Sequence, residues 1–453
     1  MRQLLRRVLV LGAMLGITAT IQAEDWPQWL GTKRDAIWRE TGIVDQFPAS
    51  GLKPTWKVSI GQGYAGPAVA AGKVFVTDRV LNRGSANPAN PFDSKTPVGG
   101  VERVLCLNEQ TGEIIWKHEY PCTYRISYAS GPRCTPTVDG DFVYTLGAMG
   151  DLFCLETATG KVVWSKNFIK DFGAEPPVWG FSSHPLVDGN KLICLVGGSQ
   201  GRLVMAFDKR TGETIWKGHS CIGDFGYAPP VIYQVGQTRQ LIIWHPQAVM
   251  GLDPETGKKF WQVPFESKFA LTAPMARYDD GRLFVTAFYN GPLMLKLDTD
   301  KPGASILWKG KSNSERPDKT DGLHSIMPTP LFHGDTIYGI CSYGELRGLD
   351  ANTGKRLWAD MRAASPDGEP LRWGNAFLVE NGDRVFLFNE RGELIIAKLS
   401  REGYTELSRT KLLEPTNKMA PGRPAVVWMH PAFANKAVIA RNDQEIVRYS
   451  LAK

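Results

Sequence analysis

Several short stretches of this chain hold residue types and spacings that can do chemistry. Gly61-x-Gly63-x-x-Gly66 spells a dinucleotide-binding loop, whose glycines let a pyrophosphate approach a helix N-terminus. Gly197-Gly198-Ser199-Gln200-Gly201 spells G-x-S-x-G, a nucleophile elbow that would raise a serine hydroxyl above a sheet. His184, His324 and His430 are imidazoles that a metal could use, and Asp298 and Asp300 resemble part of a calcium loop.

Each of these chemistries requires particular elements around it, and the elements are wrong. After Gly66 the chain reads Pro67-Ala-Val-Ala-Ala-Gly-Lys-Val-Phe-Val-Thr. Gly72 interrupts this run, and the β-branched and aromatic residues after it make a strand, a turn and a strand with no helix. No acidic residue ends a second parallel strand about 20 positions on. The serine motif also joins two strands, where an elbow needs a strand-to-helix turn. The histidines lack H-x-x-x-H spacing, and Asp298 and Asp300 lie in a degraded repeat turn. No metal site is expected.

Composition is that of a globular protein: 453 residues, 43% hydrophobic and 22% charged, and its 47 glycines and 30 prolines favour many turns between short strands. The start, MRQLLRRVLVLGAMLGITATIQA, has a basic head, an apolar run from Val8 to about Thr18, and small residues to Ala23. It reads as a secretory signal over 1–23, too short for a membrane span and without a lipobox cysteine. The formal charge of +7 includes Arg2, Arg6 and Arg7 of that leader, so the mature chain carries about +4. No basic run with interleaved aromatics accompanies this charge, which excludes a nucleic-acid footprint. A soluble, exported, periplasmic monomer is expected. Among seven cysteines, Cys106 and Cys154 read as buried hydrophobes, and Cys122 with Cys134 is the best-placed pair for a disulfide.

Repetition decides the fold. CLNEQTGEIIW (106–116), CLETATGKVVW (154–164), AFDKRTGETIW (206–216), GLDPETGKKFW (251–261) and GLDANTGKRLW (348–358) are one phrase. Each is a strand end, an Asp/Asn/Glu-x-x-Thr-Gly turn, and a strand with Trp four places after the Gly. A looser copy ends at Trp308, and in a worn one Leu407 stands where Trp would. From Trp116 the intervals are 48, 52, 45, 47, 50 and 49 residues. A period near 50 with four strands per unit predicts an all-β, eight-bladed β-propeller. Trp116, Trp164, Trp216, Trp261, Trp308 and Trp358 are expected to wedge between blades, each burying about 200 Å².

Blade one covers 64–120, and later blades follow at 182–220, 226–266, 270–310, 325–361 and 373–413, with blade two around 135–164. After blade seven the chain supplies three strands and stops. Pro54–Ile60, with Trp56 in register, is the missing fourth, so the ring is expected to close there. The domains are therefore a leader (1–23), an extension (24–53) and one propeller (54–453). Gly61, Gly63 and Gly66 mark the crossing from the outermost strand of one blade to the innermost strand of the next. Trp26, Trp29 and Trp38 are expected to pack the extension on the ring.

The phrase Ala/Gly-x-Asp-x-x-Thr-Gly-x-x-x-Trp resembles the tryptophan-docking motif of quinoprotein alcohol dehydrogenases. Their non-catalytic relatives, the pyrroloquinoline-quinone-like (PQQ-like) repeat proteins, share it, including BamB-type outer-membrane assembly factors. The opening DWPQWLG (25–31) looks like that of exported bacterial proteins with such repeats. The resemblance spans Trp56 to the C-terminus and implies fold, not activity. In the dehydrogenases it implies a quinone stacked on an axial Trp beneath adjacent disulfide-bonded cysteines, with calcium and an Asp base. The adjacent pair is absent here and no calcium set matches. Trp179, Trp244 or Trp373 are the candidates to stack such a cofactor.

Topology sorts the loops. The crossings between blades and the turns joining the second and third strands share one face. Residues 80–102, 117–130, 166–181 and 309–323 are long departures on it, which marks it as the binding side. Tyr64, Arg133, Trp179, His184, Tyr227, His324, Trp373 and His430 are expected near the axial funnel, as a polar and aromatic pocket. The reading is a non-catalytic binding or scaffolding module with a protein or saccharide partner and no resident cofactor. The alternative is a PQQ-dependent alcohol or sugar oxidoreductase with calcium.

Overall fold

The structure, a computed structural model, describes residues 24–197, 200–418 and 423–453. The leader and Gly198 and Ser199 of the G-x-S-x-G stretch lie outside these residues. Eight four-stranded antiparallel sheets follow one another as blades, together with a two-stranded ribbon at Asn417–Lys418 and Ala425–Val426. Within each blade the strands, a to d, run outward from the axis in chain order. The exception is the last blade, where Ala432–Ala434, Ala437–Arg441 and Glu445–Ser450 are completed by Trp56–Ser59 from the other end of the chain. Trp56 stands opposite Arg448 and Ser59 opposite Glu445. The ring closes as the repeat arithmetic requires, and no blade is left with three strands and an unpaired face.

The repeated phrase has a direct physical reading. In its turn the Asp or Asn carboxyl or amide oxygen accepts two backbone N–H groups: Asn108 those of Gln110 and Thr111 (2.9 and 3.0 Å), Asp208 those of Arg210 and Thr211 (2.9 and 3.0 Å). The Gly that follows adopts positive φ, +72° at Gly160 and +74° at Gly212. The tryptophan of the preceding blade lies against that glycine and donates its indole N–H to the same turn. Trp116 donates to Thr157 O (3.1 Å), Trp164 to Lys209 O (3.0 Å), Trp216 to Pro254 O (3.2 Å) and Trp308 to Ala351 O (2.8 Å). Trp56 makes the same bond to Glu109 O (2.7 Å) across the closure, and Trp358 reaches Ser400 O (2.9 Å). Trp261 departs from the rule. The next blade has the degraded turn at Asp298, and the indole bonds to Gln240 Oε1 in its own blade (2.6 Å).

Leu407 follows from the same geometry. Its blade faces the closing blade, whose third and fourth strands come from opposite chain ends, so no Thr-Gly turn exists for a tryptophan to dock on. The extension covers that seam instead. Val44 N–H donates to Leu451 O (2.9 Å) and Phe47 N–H to Ser408 Oγ (2.9 Å).

The docking contact predicts a difference between two glycines. A Cβ at Gly160 would sit 2.5 Å from the Trp116 ring, whereas one at Gly140 (φ +58°) would meet nothing within 4 Å. Gly160→Ala is expected to lower stability by about 3 kcal/mol and Gly140→Ala by about 1 kcal/mol, read from denaturant midpoints at unchanged m.

Two expectations need correcting. All seven cysteines are free and buried. Cys122 packs beside Val98 and Tyr124 in the last strand of blade one, while Cys134 lies in a separate cluster with its thiol toward Phe181 O, so they do not pair. The insertion at 80–102 and the crossing at 117–130 are partly strand. Lys73–Leu81, Val98–Asn108 and Ile114–Tyr124 extend blade one beyond the ring. These arms enclose Arg79, whose guanidinium lies 3.8 Å from the Tyr124 ring centre and donates to Val98 O and Ala129 O. Gly100 leaves the space it occupies.

Candidate functional site

The extension does more than pack on the ring: it fills the axial channel. Trp26 pairs with Val69 of blade one, and Val138 of blade two donates its N–H to Pro27 O (2.8 Å). Arg34 donates to Pro185 O (2.8 Å) and His184 O (3.2 Å) before blade three, and Arg277 of blade five donates to Asp35 O (2.9 Å). Ile37 and Trp38 then run beside Glu380 of blade seven. The innermost strands of a propeller would otherwise surround an open channel. Burial lowers the Arg34 pKa to about 10, well within the charged range at neutral pH, and its two terminal nitrogens donate to the Pro185 and His184 carbonyls and to Gln28 Oε1 (3.3 Å).

Above this plug lies a cavity of about 560 Å³. Its wall is assembled from all eight crossings, from Phe92 and Phe288–Tyr289 of the b–c turns, and from Phe377 at the start of an inner strand. Seven of the residues singled out from sequence line it: Tyr64, Arg133, Trp179, His184, Tyr227, Trp373 and His430. His324 does not. It is fully buried behind the wall, bonded through Nδ1 to Phe288 O (3.2 Å). His184 and His430 each stand two residues before an innermost strand, whereas His324 stands seven before its own. Trp244 is also off the cavity, buried against Phe265.

The floor is Trp29, stacked on His184 (centroids 4.4 Å, planes 8° apart) and edge-on to His430 (4.3 Å). Thr135 holds both imidazoles: its N–H donates to His184 Nδ1 (3.0 Å) and its hydroxyl meets His430 Nε2 (2.6 Å). Burial drives the His184 pKa well below the ordinary histidine range and takes that of His430 down to about 3, so both rings are neutral. Gly66 is fixed by this packing, since a Cβ there would collide with His430. The opening glycine motif thus serves the floor of a cavity, not a phosphate.

Aromatic rings make up most of the wall. Trp179 meets Tyr227 edge-on at 5.7 Å, and Arg133 lies over the Tyr64 ring at 5.1 Å. Arg372 and Arg423 lie over Trp373 at 4.8 and 4.6 Å. Trp428 is held by Glu390, which accepts its indole N–H and the Asn375 N–H, both at 3.1 Å. Sequence reasoning missed Phe92, Tyr128, Phe269, Tyr289 and Trp428, which share one signal: they are aromatics in connecting segments of the insertion-rich face. Among the described residues no Asp, Glu, Asn or Gln side chain lines the cavity.

That wall does not suit a quinone with calcium. The cation would need carboxylate or amide oxygens, and the wall presents none. No group of three or more His, Cys, Asp or Glu among the described residues could hold a metal, and the sequence has no adjacent cysteines. No helix among the described residues is long and apolar enough to cross a membrane.

Comparison with known proteins agrees with the architecture. BamB of Salmonella typhimurium is 26% identical over 220 residues, 45% of this chain and 48% of that protein. The chain spans about half the length of the curated relatives it matches. The crystal structure of BamB from Moraxella catarrhalis superposes with a TM-score of 0.57 at 15% identity, covering 88% of this chain and 99% of that one. Quinohemoprotein alcohol dehydrogenase from Comamonas testosteroni gives 0.58 at 14% identity, covering 94% and 80%. At these identities the likeness is one of fold. The family model described as outer membrane protein assembly factor BamB matches residues 100–228 and 245–452, well over half of the sequence. With its docked tryptophans and closed eight-bladed ring, the chain belongs to that PQQ-like, BamB-type repeat family.

Proposed function

We propose that this chain is an exported, non-catalytic binding propeller of the periplasm that meets its partner through the face carrying the crossings and b–c turns. One observation carries the reading: all eight crossings send side chains into a single axial cavity that the chain's own extension seals from below. A ligand therefore enters from one face. The opposite face repeats the Thr-Gly turns, whose polar groups are spent on their own backbone. A protein partner is favoured over a saccharide, because sugar hydroxyls need acceptors and the wall lacks side-chain carboxylates and amides. The relatives named as assembly factors favour a protein as well. The oxidoreductase alternative lacks the donors its cofactor needs.

Photo-crosslinking tests this. A benzophenone side chain placed at Phe92 or Phe269, both exposed at the cavity rim, is expected to capture the same partner in cells. The same group at Thr211 or Thr353, in the opposite turns, is expected to capture none. Adducts from the turns alone would overturn the reading. So would dye reduction with alcohols or sugars after adding quinone and calcium.

A further inference from the structure

We infer that the cavity takes an apolar anion, a flat aromatic body carrying one carboxylate. This rests on the loop face being the binding side and names the chemistry that side accepts.

The hydrogen-bonding character of the wall is one-sided. Arg133 and Arg372 present N–H groups, the Tyr64 and Tyr227 hydroxyls spend their protons on Ser130 and Asp224, and His184 adds a further donor. Its Nδ1 accepts the Thr135 N–H, so the proton of the neutral ring is on Nε2, which has no partner among the described residues. With no side-chain carboxylate or amide in the wall among the described residues, its charged groups are all donors. The matching ligand offers acceptors and few donors. A polyhydroxylated ligand would find only hydroxyl and carbonyl oxygens to accept its protons, and each proton left unpaired would cost about 1–3 kcal/mol.

Charge points the same way. Arg372 is paired with Glu315 (Nη2–Oε1, 2.5 Å). Arg133 and Arg423 have no carboxylate within ion-pair distance among the described residues. Arg133 is instead braced by the carbonyls of Ser127 (3.0 Å), Tyr128 (2.6 Å) and Gly131. The acids nearby are committed: Glu315 to Arg372, Asp224 to the Tyr227 hydroxyl (2.9 Å), and Glu390 to Trp428 and Asn375. Burial also raises the Glu390 pKa to about 7, which keeps part of it neutral. Counting Arg133, Arg372 and Arg423 against Glu315, Asp224 and a partly neutral Glu390, the mouth carries a small positive excess. A carboxylate would complete the coordination of a cation already held in place, and its ring would lie on aromatic faces. About 560 Å³ is room for a body of two or three fused rings.

The probe is 1-naphthoate, compared with its neutral counterpart 1-naphthalenemethanol, titrated against the full mature chain by calorimetry. Naphthoate is expected to bind one per chain, at least about tenfold tighter than the alcohol, with an affinity that falls as salt rises. Arg133→Gln is expected to reduce that preference to about twofold or less, while Trp179→Ala weakens both compounds alike. Arg423→Gln, on the exposed rim, gives a second reading of the charge where the half-buried Arg133 variant fails to fold. Equal binding of the two compounds overturns the inference. So does a preference that survives both arginine substitutions. Rim crosslinking is independent of this test: adducts without a naphthoate preference would overturn the ligand class alone, and their absence the binding face itself.

Discussion

Replacing Trp29 by alanine is expected to lower the unfolding free energy by about 3–5 kcal/mol and to abolish binding in the axial cavity. The ring is 5% exposed, and its neighbours are His184, His430 and the inner strands, none of which can collapse to fill the space it leaves. His184 would lose the face it stacks on. The plug would lose its largest anchor beneath the cavity, opening the site to the channel below. Thermal unfolding with circular dichroism measures the first effect and naphthoate calorimetry the second. Trp29→Phe keeps an aromatic face and is expected to retain most of both. An alanine variant as stable as the parent would mean that the extension lies on the ring without supporting it.

Glu390→Gln is expected to stabilise the protein at neutral and alkaline pH. Burial raises the folded-state pKa of Glu390 to about 7, opposed by the hydrogen bonds from Trp428 and Asn375 and by Arg391 and Arg423. A carboxyl group whose folded pKa is raised binds its proton more tightly when folded. Below the unfolded value near 4.5 both states are protonated and the group is neutral in its effect. Between 4.5 and about 7 the unfolded chain releases the proton first, so stability falls as pH rises. Above 7 the full cost remains, on the order of 3 kcal/mol. Glutamine keeps an oxygen to accept the Trp428 and Asn375 N–H groups without the charge. The variant should therefore exceed the parent in stability above pH 7, with the gap closing towards pH 4.5. Comparing the two proteins cancels titrations elsewhere in the chain. Curves that stay parallel from pH 4.5 to 8 would show that Glu390 ionises without hindrance.

The ring was legible because its energetics are local and repeated. A tryptophan four residues after a Thr-Gly turn states both partners of the contact in one phrase, and Trp56 without a neighbouring strand announced the closure. Even the exception has a local cause, since Leu407 faces a blade with no turn to receive an indole. The loop-rich face was legible through topology, which is why Tyr64, Arg133 and Tyr227 could be placed at the cavity. The plug was not. Arg34 bonds to Pro185 and Arg277 to Asp35, contacts between distant and non-repeating segments that no period reveals. His324 shows the same limit. It shares a crossing context with His184 and His430, but the route of its longer segment places it behind Phe288.

Hydrogen–deuterium exchange with and without saturating 1-naphthoate tests most directly whether the sealed cavity is the binding site. Slower exchange is predicted around Trp29 and in the crossings at 125–134, 178–184, 224–229, 371–377 and 427–430. The turns at 108–112, 156–160, 208–212, 253–257 and 350–354 should be unchanged. Protection of those turns, with the crossings unaffected, would contradict it.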